Sequence, residues 1–431
     1  MERLFKLQAH GTTVLREILA GLTTFLTMTY ILAVNPEMLG SIGQGMTAEA
    51  VFTATVIASA VATLVMAFAA NLPVALAPGM GLNAFFTYTV VLGMHYSWQT
   101  ALTAVFLEGL LFMVLSLVNV RELIIHAIPL PLKKAVAVGI GLLIAFIGLE
   151  NSGVLSVDPQ TLVSLGDSTS GNALTALIGL VITVVLFANQ VPGSILIGLI
   201  LTTLVGIPLE VTVIPENFSF IRLPARPLFF QFDFSAVFSL KFFTVFFTFF
   251  FLDIFDTVGT LVGVSARAGL ITQQGEIPRA KQAFLADAFG TVLGAILGTS
   301  TITSYAESSA GVTAGGRTGL TAVTTAVLFL AALFFSPVFL LVPRAATAPI
   351  LIIVGFFMMQ SIVGIRFWDP TEGIPAGLTI VAMPLRFSIA EGIVYGLISY
   401  VVLKTVTRKG KDITLVTWIL FGIFILRFFL K

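Results

Sequence analysis

The chain has 431 residues, of which 57% are hydrophobic and 10% charged, with a formal net charge of +1 and a mean hydropathy of +1.06. A soluble globular protein carries roughly 25% charged residues, so the composition excludes a soluble domain and indicates a polytopic membrane protein. The near-neutral balance gives no reason to invoke nucleic acid, and the absence of cysteine excludes disulfides, thiolate metal sites and cysteine nucleophiles.

The N-terminal MERLFKLQAHGTTVLREI lacks a signal-peptide core and cleavage site, so the first apolar run, 18–35, is expected to remain and to span. Runs at 51–70, 73–93 and 99–119 follow, then 134–149, 172–189 and 192–207. The second half offers 240–264, 283–298, 300–313 and 319–342, then 347–363, 373–384 and 387–405. These predict an all-α protein of fourteen spans, several shorter than the ~20 residues of a full crossing. A last apolar segment, 413–430, either spans or lies in the interface. With the N-terminus inside, the cytoplasmic loops hold most of the basic residues, among them Arg121, Lys133, Lys134, Arg279, Lys281 and Arg408, whereas the other side holds an acidic 150–170 loop. That asymmetry predicts that both ends of the fourteen-span unit are cytoplasmic. LVITVVLFANQVPGSILIGLI (180–200) and LTIVAMPLRFSIAEGIVYGLI (378–398) share an apolar half-span, a proline turn and a small-residue span. Seven spans separate the two copies, which would make them inverted with respect to the membrane.

Two of the runs are poor helices. NLPVALAPGMGLNAFFTYTVV (71–91) packs Pro73, Pro78, Gly79, Gly81 and Asn83 into its first half, and GTSTITSYAESSAGVTAGGRTGLTAV (298–323) centres on Glu307. Proline and glycine at this density break helices, and broken backbone at membrane depth must be buried in protein or line a cavity. Paired discontinuities of this kind point to a transporter's substrate site; the alternative for 298–318 is a polar external loop. Between them, FFLDIFDTVGT (250–260) carries Asp253 and Asp256, with no basic residue within ten positions of either. A carboxylate in hydrocarbon costs about 2.5–3.5 kcal/mol even on insertion scales. Positions i and i+3 share a helical face, continued by Gly259, Thr260 and Gly263, so this face is expected to look inward. Asp253, Asp256, Glu307 and Asn83 make a site that is mainly acceptor, suited to a cation or to a neutral molecule with several N–H donors. Glu108, inside AVFLEGLLF, either pairs with a neighbouring span or serves the site; Asp287 is expected to be structural, and Arg317 to anchor the cytoplasmic end of its span. His10, His95 and His126 fall at span ends or loops, which argues against a histidine proton relay.

ALAPGMGLNAFFTYTVV (75–91), FLDIFDTVGTL (251–261) and TSYAESSAGVTAGGRTGLTAV (303–323) resemble the AzgA-type branch of the nucleobase–cation symporter 2 family, the adenine/guanine/hypoxanthine permeases. GLTTFLTMTYILAVNP (21–36) and YSWQTALTAVF (96–106) resemble the same branch, and the similarity runs over essentially the whole chain. The resemblance implies two inverted seven-segment repeats forming a core domain (1–119 and 231–345) and a gate domain (120–230 and 346–431), with short extended stretches in spans 3 and 10. It also implies a homodimer in the cell's inner membrane, an elevator-like movement and no cofactor. Carried over by motif, the site acid of span 10 falls on Glu307, the asparagine of span 3 on Asn83 and the acid of span 8 on Asp256, with Asp253 second; Ser308 stands where the wider family has a diagnostic asparagine, and Thr260 where it often has a further acid.

A carboxylate accepts two hydrogen bonds side by side, which fits the N1–H of hypoxanthine and the N1–H and amino group of guanine. Adenine, with a donor beside a ring acceptor, suits a protonated carboxyl. Acids that share a buried site can take up a proton near neutral pH, so Asp256, Asp253 and Glu307 are the expected proton-coupling groups, a span-8 aspartate foremost. Phe85 either stacks on the purine or packs between helices. An intramembrane aspartyl protease would need its acids on separate helices and a GxGD stretch, which is absent. Rhomboid chemistry would need a histidine in the bilayer, and an anion exchanger would be repelled by three acids. A xanthine, uric acid or uracil permease is the nearest alternative within the family.

Overall fold

The computed structural model describes residues 2–117, 129–158, 162–271, 277–386 and 388–429. The boundary expected at 119/120, Arg121 and His126 lie outside the described residues. Helices dominate, and local chemistry sets their starts. Thr13, Thr47, Ser170, Ser239, Thr318 and Ser388 each precede a helix and accept a first-turn N–H through the side-chain oxygen. Among the described residues, ten helices are long and apolar enough to cross a bilayer: Val14–Gly40, Ala48–Ala70, Trp98–Leu117, Leu130–Asn151, Gly171–Ala188, Lys241–Arg267, Ala280–Leu297, Gly319–Leu340, Arg344–Gly364 and Ile389–Val406. The other expected crossings correspond to shorter pieces, Met80–Gly93, Ser194–Val205, Ser308–Thr313 and Pro370–Arg386. The final apolar segment forms Leu415–Phe429, whose Leu420 packs with Leu397, Tyr400 and Val401. Its 15 residues rise only about 22 Å, less than the ~30 Å hydrocarbon core.

The first long helix is interrupted. Val14–Met28 ends at Thr29 and Tyr30 and resumes as Ile31–Gly40 with Pro36 inside, where proline removes one ladder hydrogen bond. Elsewhere small residues let backbones touch. A Cβ on Gly141 would lie 2.5 Å from the Gly355 carbonyl oxygen, so Leu130–Asn151 and Arg344–Met359 are in direct backbone contact. The two segments with similar sequence, 180–200 and 378–398, each form a helical hairpin. In the first, Gly193 turns the chain at φ +72°, Gly179 receives Thr202 and Gly198 receives Thr183. In the second, Gly396 receives Thr379 and Gly392 receives Met383.

Among the described residues, four short strands make two antiparallel pairs: β1 (Leu76–Pro78), β2 (Leu155–Asp158), β3 (Leu162–Leu165) and β4 (Ile302–Ser304). β2 and β3 form a ladder in the loop after Asn151. β1 and β4 lie in the buried interior, with Leu76 opposite Ser304, Ala77 opposite Thr303 and Pro78 opposite Ile302. The extended stretches expected in the two broken runs are therefore present, and they pair with each other.

Candidate functional site

Extended backbone inside a hydrophobic interior leaves N–H and C=O groups that must find partners, and side chains and the other strand supply them at several positions. Leu76 N–H donates to the Thr63 hydroxyl (2.9 Å) and Ala75 N–H to the Ser308 hydroxyl (3.0 Å). Ser304 N–H donates to Asp287 Oδ1 (2.9 Å), and the Thr291 hydroxyl donates to the Ile302 carbonyl (2.8 Å). Beyond the strands, Tyr305 N–H reaches the Ala75 carbonyl (2.9 Å) and Gly79 N–H the Thr301 carbonyl (3.0 Å). The Tyr305 hydroxyl takes the Pro78 carbonyl at 2.6 Å. Because the strands are antiparallel, Met80–Gly93 and Ser308–Thr313 start from opposite ends of the ladder.

Two acids border this ladder and keep accessible surface. Asp256, on Leu240–Arg267, is partly accessible; its Oδ2 is 3.5 Å from the position a Cβ on Gly79 would take. It is within electrostatic reach of Glu307 and Asp287. Glu307 is also partly accessible, and its Oε1 accepts from the Tyr30 hydroxyl at 2.7 Å. The other expected site residues have no accessible surface. Asp253 is buried one turn before Thr257, whose hydroxyl is 3.4 Å from Asp253 but 2.8 Å from Asp287 and 2.9 Å from Thr303. Asn83 accepts from the Ser300 hydroxyl through Oδ1, and its Nδ2 has no hydrogen-bond partner among the described residues. Ser308 braces Ala75, as above. Phe85 is buried and meets Phe249 edge-on, with ring centroids 4.7 Å apart.

Other buried acids hold the frame. Asp287 accepts from Ser304 N–H and hydroxyl (both 2.9 Å) and from Thr257 (2.8 Å), so it ties Ala280–Leu297 and Leu240–Arg267 to β4. Glu108 is buried and accepts from the Thr301 hydroxyl at 2.9 Å. Glu17 accepts from the N–H groups of Arg317 (2.9 Å), Thr318 and Thr321 (both 3.2 Å), which places a carboxylate at the start of Gly319–Ala332. Arg317 donates to the carbonyls of Val312 (2.6 Å) and Gly316 (2.7 Å), anchoring the end of Ser308–Thr313. Tyr30 and Glu17 escaped the sequence reading; Glu17 had a signal, an acid entering an apolar run, and Tyr30 had none. Among the described residues no three acids or histidines converge as metal ligands, and His10 lies in a turn and His95 in the loop before Trp98–Leu117.

The sequence matches the Permease family over residues 15–395. The guanine/hypoxanthine permease PbuG of Bacillus subtilis (strain 168) is 45% identical over 446 residues, covering 100% of both chains. The adenine permease AdeP of Escherichia coli (strain K12) is 42% identical over 434 residues, covering 99% of this chain and 95% of the relative. In fold, the chain is similar to the transmembrane domain of a cyanobacterium bicarbonate transporter, BicA, with a TM-score of 0.66 at 18% identity over 87% of this chain and 96% of that one.

Proposed function

Because the chain belongs to the Permease family, whose match covers residues 15–395, and is a transporter rather than an enzyme, we propose that it imports purine nucleobases of the adenine, guanine and hypoxanthine class. The observation that carries this reading is the pair of partly accessible acids, Asp256 and Glu307, on either side of a ladder made by the two broken segments. An acceptor pair of this kind fits a neutral planar ligand edged with N–H groups. The names of the relatives AdeP and PbuG support the same class. The likeness to BicA concerns the fold, and clustered acids disfavour an anion.

In this reading Asp256 and Glu307 hold the purine edge, while Asp253, Asn83, Ser308 and Phe85 form the layer behind them. Asp256 takes up a proton with the substrate from outside and releases it inside, and Asp253 and Glu307 share in that coupling. Fourteen spans form two inverted repeats, and the core (1–119 and 231–345) moves in an elevator-like way against the gate (120–230 and 346–431). The protein is a homodimer in the cell's inner membrane with both ends of the fourteen-span unit cytoplasmic. The test is uptake of radiolabelled hypoxanthine in competition with adenine, guanine, xanthine and uracil, with and without a protonophore. Competition by the first two and collapse with the protonophore are expected. Competition by uracil or xanthine alone would overturn the substrate class, and indifference to the protonophore would remove proton coupling.

A further inference from the structure

We propose that Tyr30 is a positioning residue for substrate, holding the Glu307 carboxylate in the orientation that receives the purine. The inference rests on the functional reading above. The phenol donates to Glu307 Oε1 at 2.7 Å, and among the described residues no other side chain hydrogen-bonds that carboxylate. Tyr30 is 1% exposed, so the donor is fixed by packing and shielded from water. A charge-assisted hydrogen bond from a buried phenol restricts the rotation of a side chain that is itself partly accessible.

The frame around this contact is rigid. Tyr30 sits at the interruption between Val14–Met28 and Ile31–Gly40, and Val14–Met28 lies directly against the half-helix that begins at Ser308. A Cβ on Gly311 would lie 2.5 Å from the Ala20 carbonyl oxygen and would collide with the Thr24 hydroxyl. The Thr325 hydroxyl binds the Gly21 carbonyl at 3.0 Å, which ties the same helix to Gly319–Ala332. The phenol and the carboxylate are thus carried by elements whose backbones touch. Tyr305, the other buried tyrosine of the site, donates its hydroxyl to the Pro78 carbonyl at 2.6 Å and is hydrogen-bonded with Tyr30, so it braces the phenol that donates to Glu307.

Positioning separates from general support in the kinetics. The Tyr30→Phe variant keeps the ring and removes only the donor. The expected result is a KM for hypoxanthine raised about tenfold, with kcat within about twofold of wild type and an unchanged melting temperature. A parallel rise of about tenfold in Kd, read by hypoxanthine binding to the purified protein, is expected. Tyr30→His, which keeps a ring N–H, serves as the second variant if the first does not fold, and its KM should exceed that of wild type by less than tenfold. Glu307→Gln run alongside distinguishes the two levels of the argument. If Glu307→Gln transports like wild type, the functional reading of Glu307 fails. If Glu307→Gln loses transport while Tyr30→Phe keeps a wild-type KM, or loses kcat at unchanged KM, the role assigned to Tyr30 is overturned.

Discussion

The β1–β4 ladder and the two helical hairpins are both marked in sequence by proline and glycine, yet they are built on opposite principles. At the ladder, backbone groups find partners on other elements: Thr63 for Leu76, Ser308 for Ala75 and Asp287 for Ser304. At the hairpins, partners are local, with Thr183, Thr202 and Thr379 bonding the carbonyls of Gly179, Gly198 and Pro375 one turn back. The ladder concentrates buried polarity and two accessible acids, while the hairpins concentrate glycine–threonine contacts between neighbouring helices. A break that recruits distant polar side chains is a place where a ligand can compete for them. A turn that satisfies itself is a joint.

The largest effect expected from this contrast is at Asp287. Replacing it by Ala leaves the Ser304 N–H, the Ser304 hydroxyl and the Thr257 hydroxyl without their acceptor. At about 1–3 kcal/mol for each of these three buried groups, the loss is roughly 3–9 kcal/mol. Folded yield in detergent should collapse for Asp287→Ala and survive in part for Asp287→Asn, which retains an acceptor oxygen. Equal behaviour of the two variants would mean that the ladder does not depend on this carboxylate.

Next come the accessible acids. A hydrogen bond to a charged group contributes about 1.5–3 kcal/mol, so Glu307→Gln and Asp256→Asn should each lower purine uptake roughly 10–150-fold at wild-type expression. Asp253→Asn should act more through stability, because Asp253 has no accessible surface. If Asp253→Asn abolished uptake in a well-folded protein while Asp256→Asn did not, the assignment of Asp256 to the substrate would be reversed.

The hairpins should respond differently. A Cβ on Gly198 or Gly396 would collide with Thr183 or Thr379, and overpacking of this kind costs about 1–3 kcal/mol. Gly198→Val and Gly396→Val should lower the melting temperature by at least ~2 °C and leave KM within twofold. A raised KM with an intact melting temperature would move the hairpins into the substrate site.

The same contrast explains what the sequence could disclose. Hydropathy located the long helices because residues in lipid must be apolar over a whole crossing, and proline–glycine density located both kinds of break. It could not tell a paired strand from a turn, since β1 and the residues beside it pair with β4, Ser308 and Thr301, remote along the chain, and with Thr63 on the preceding helix. Nor could it separate Asp253 from Asp256. Spacing puts both on one side of the helix, whereas the small rotation between them leaves only Asp256 accessible. Tyr30 carried no signal, because a tyrosine late in an apolar run reads as an interfacial aromatic, and its partner is Glu307, far along the chain.

The smallest effect expected is at an acid that belongs to a hairpin and lies outside the membrane-length helices. Asp369 precedes Pro370–Arg386, and its Oδ1 accepts from the Thr371 hydroxyl (2.8 Å) and N–H (2.9 Å). The hydrogen bonds from Thr371, foremost the hydroxyl, hold its pKa down to about 2, with Lys409, 3.3 Å away, adding to them. A folded-state value below the ordinary ~3.9 means that the carboxylate stabilises the fold above that pH and loses this as pH falls towards 2. Asp369→Asn keeps the hydrogen-bonding shape and removes the titration. Its melting temperature should therefore lie slightly below wild type at pH 6 and show less change between pH 4 and pH 2, with purine uptake at pH 6 unchanged. An uptake loss at neutral pH would show that a partly exposed hairpin acid takes part in transport. It would also break the division between a centre that holds the ligand and joints that only hold the chain.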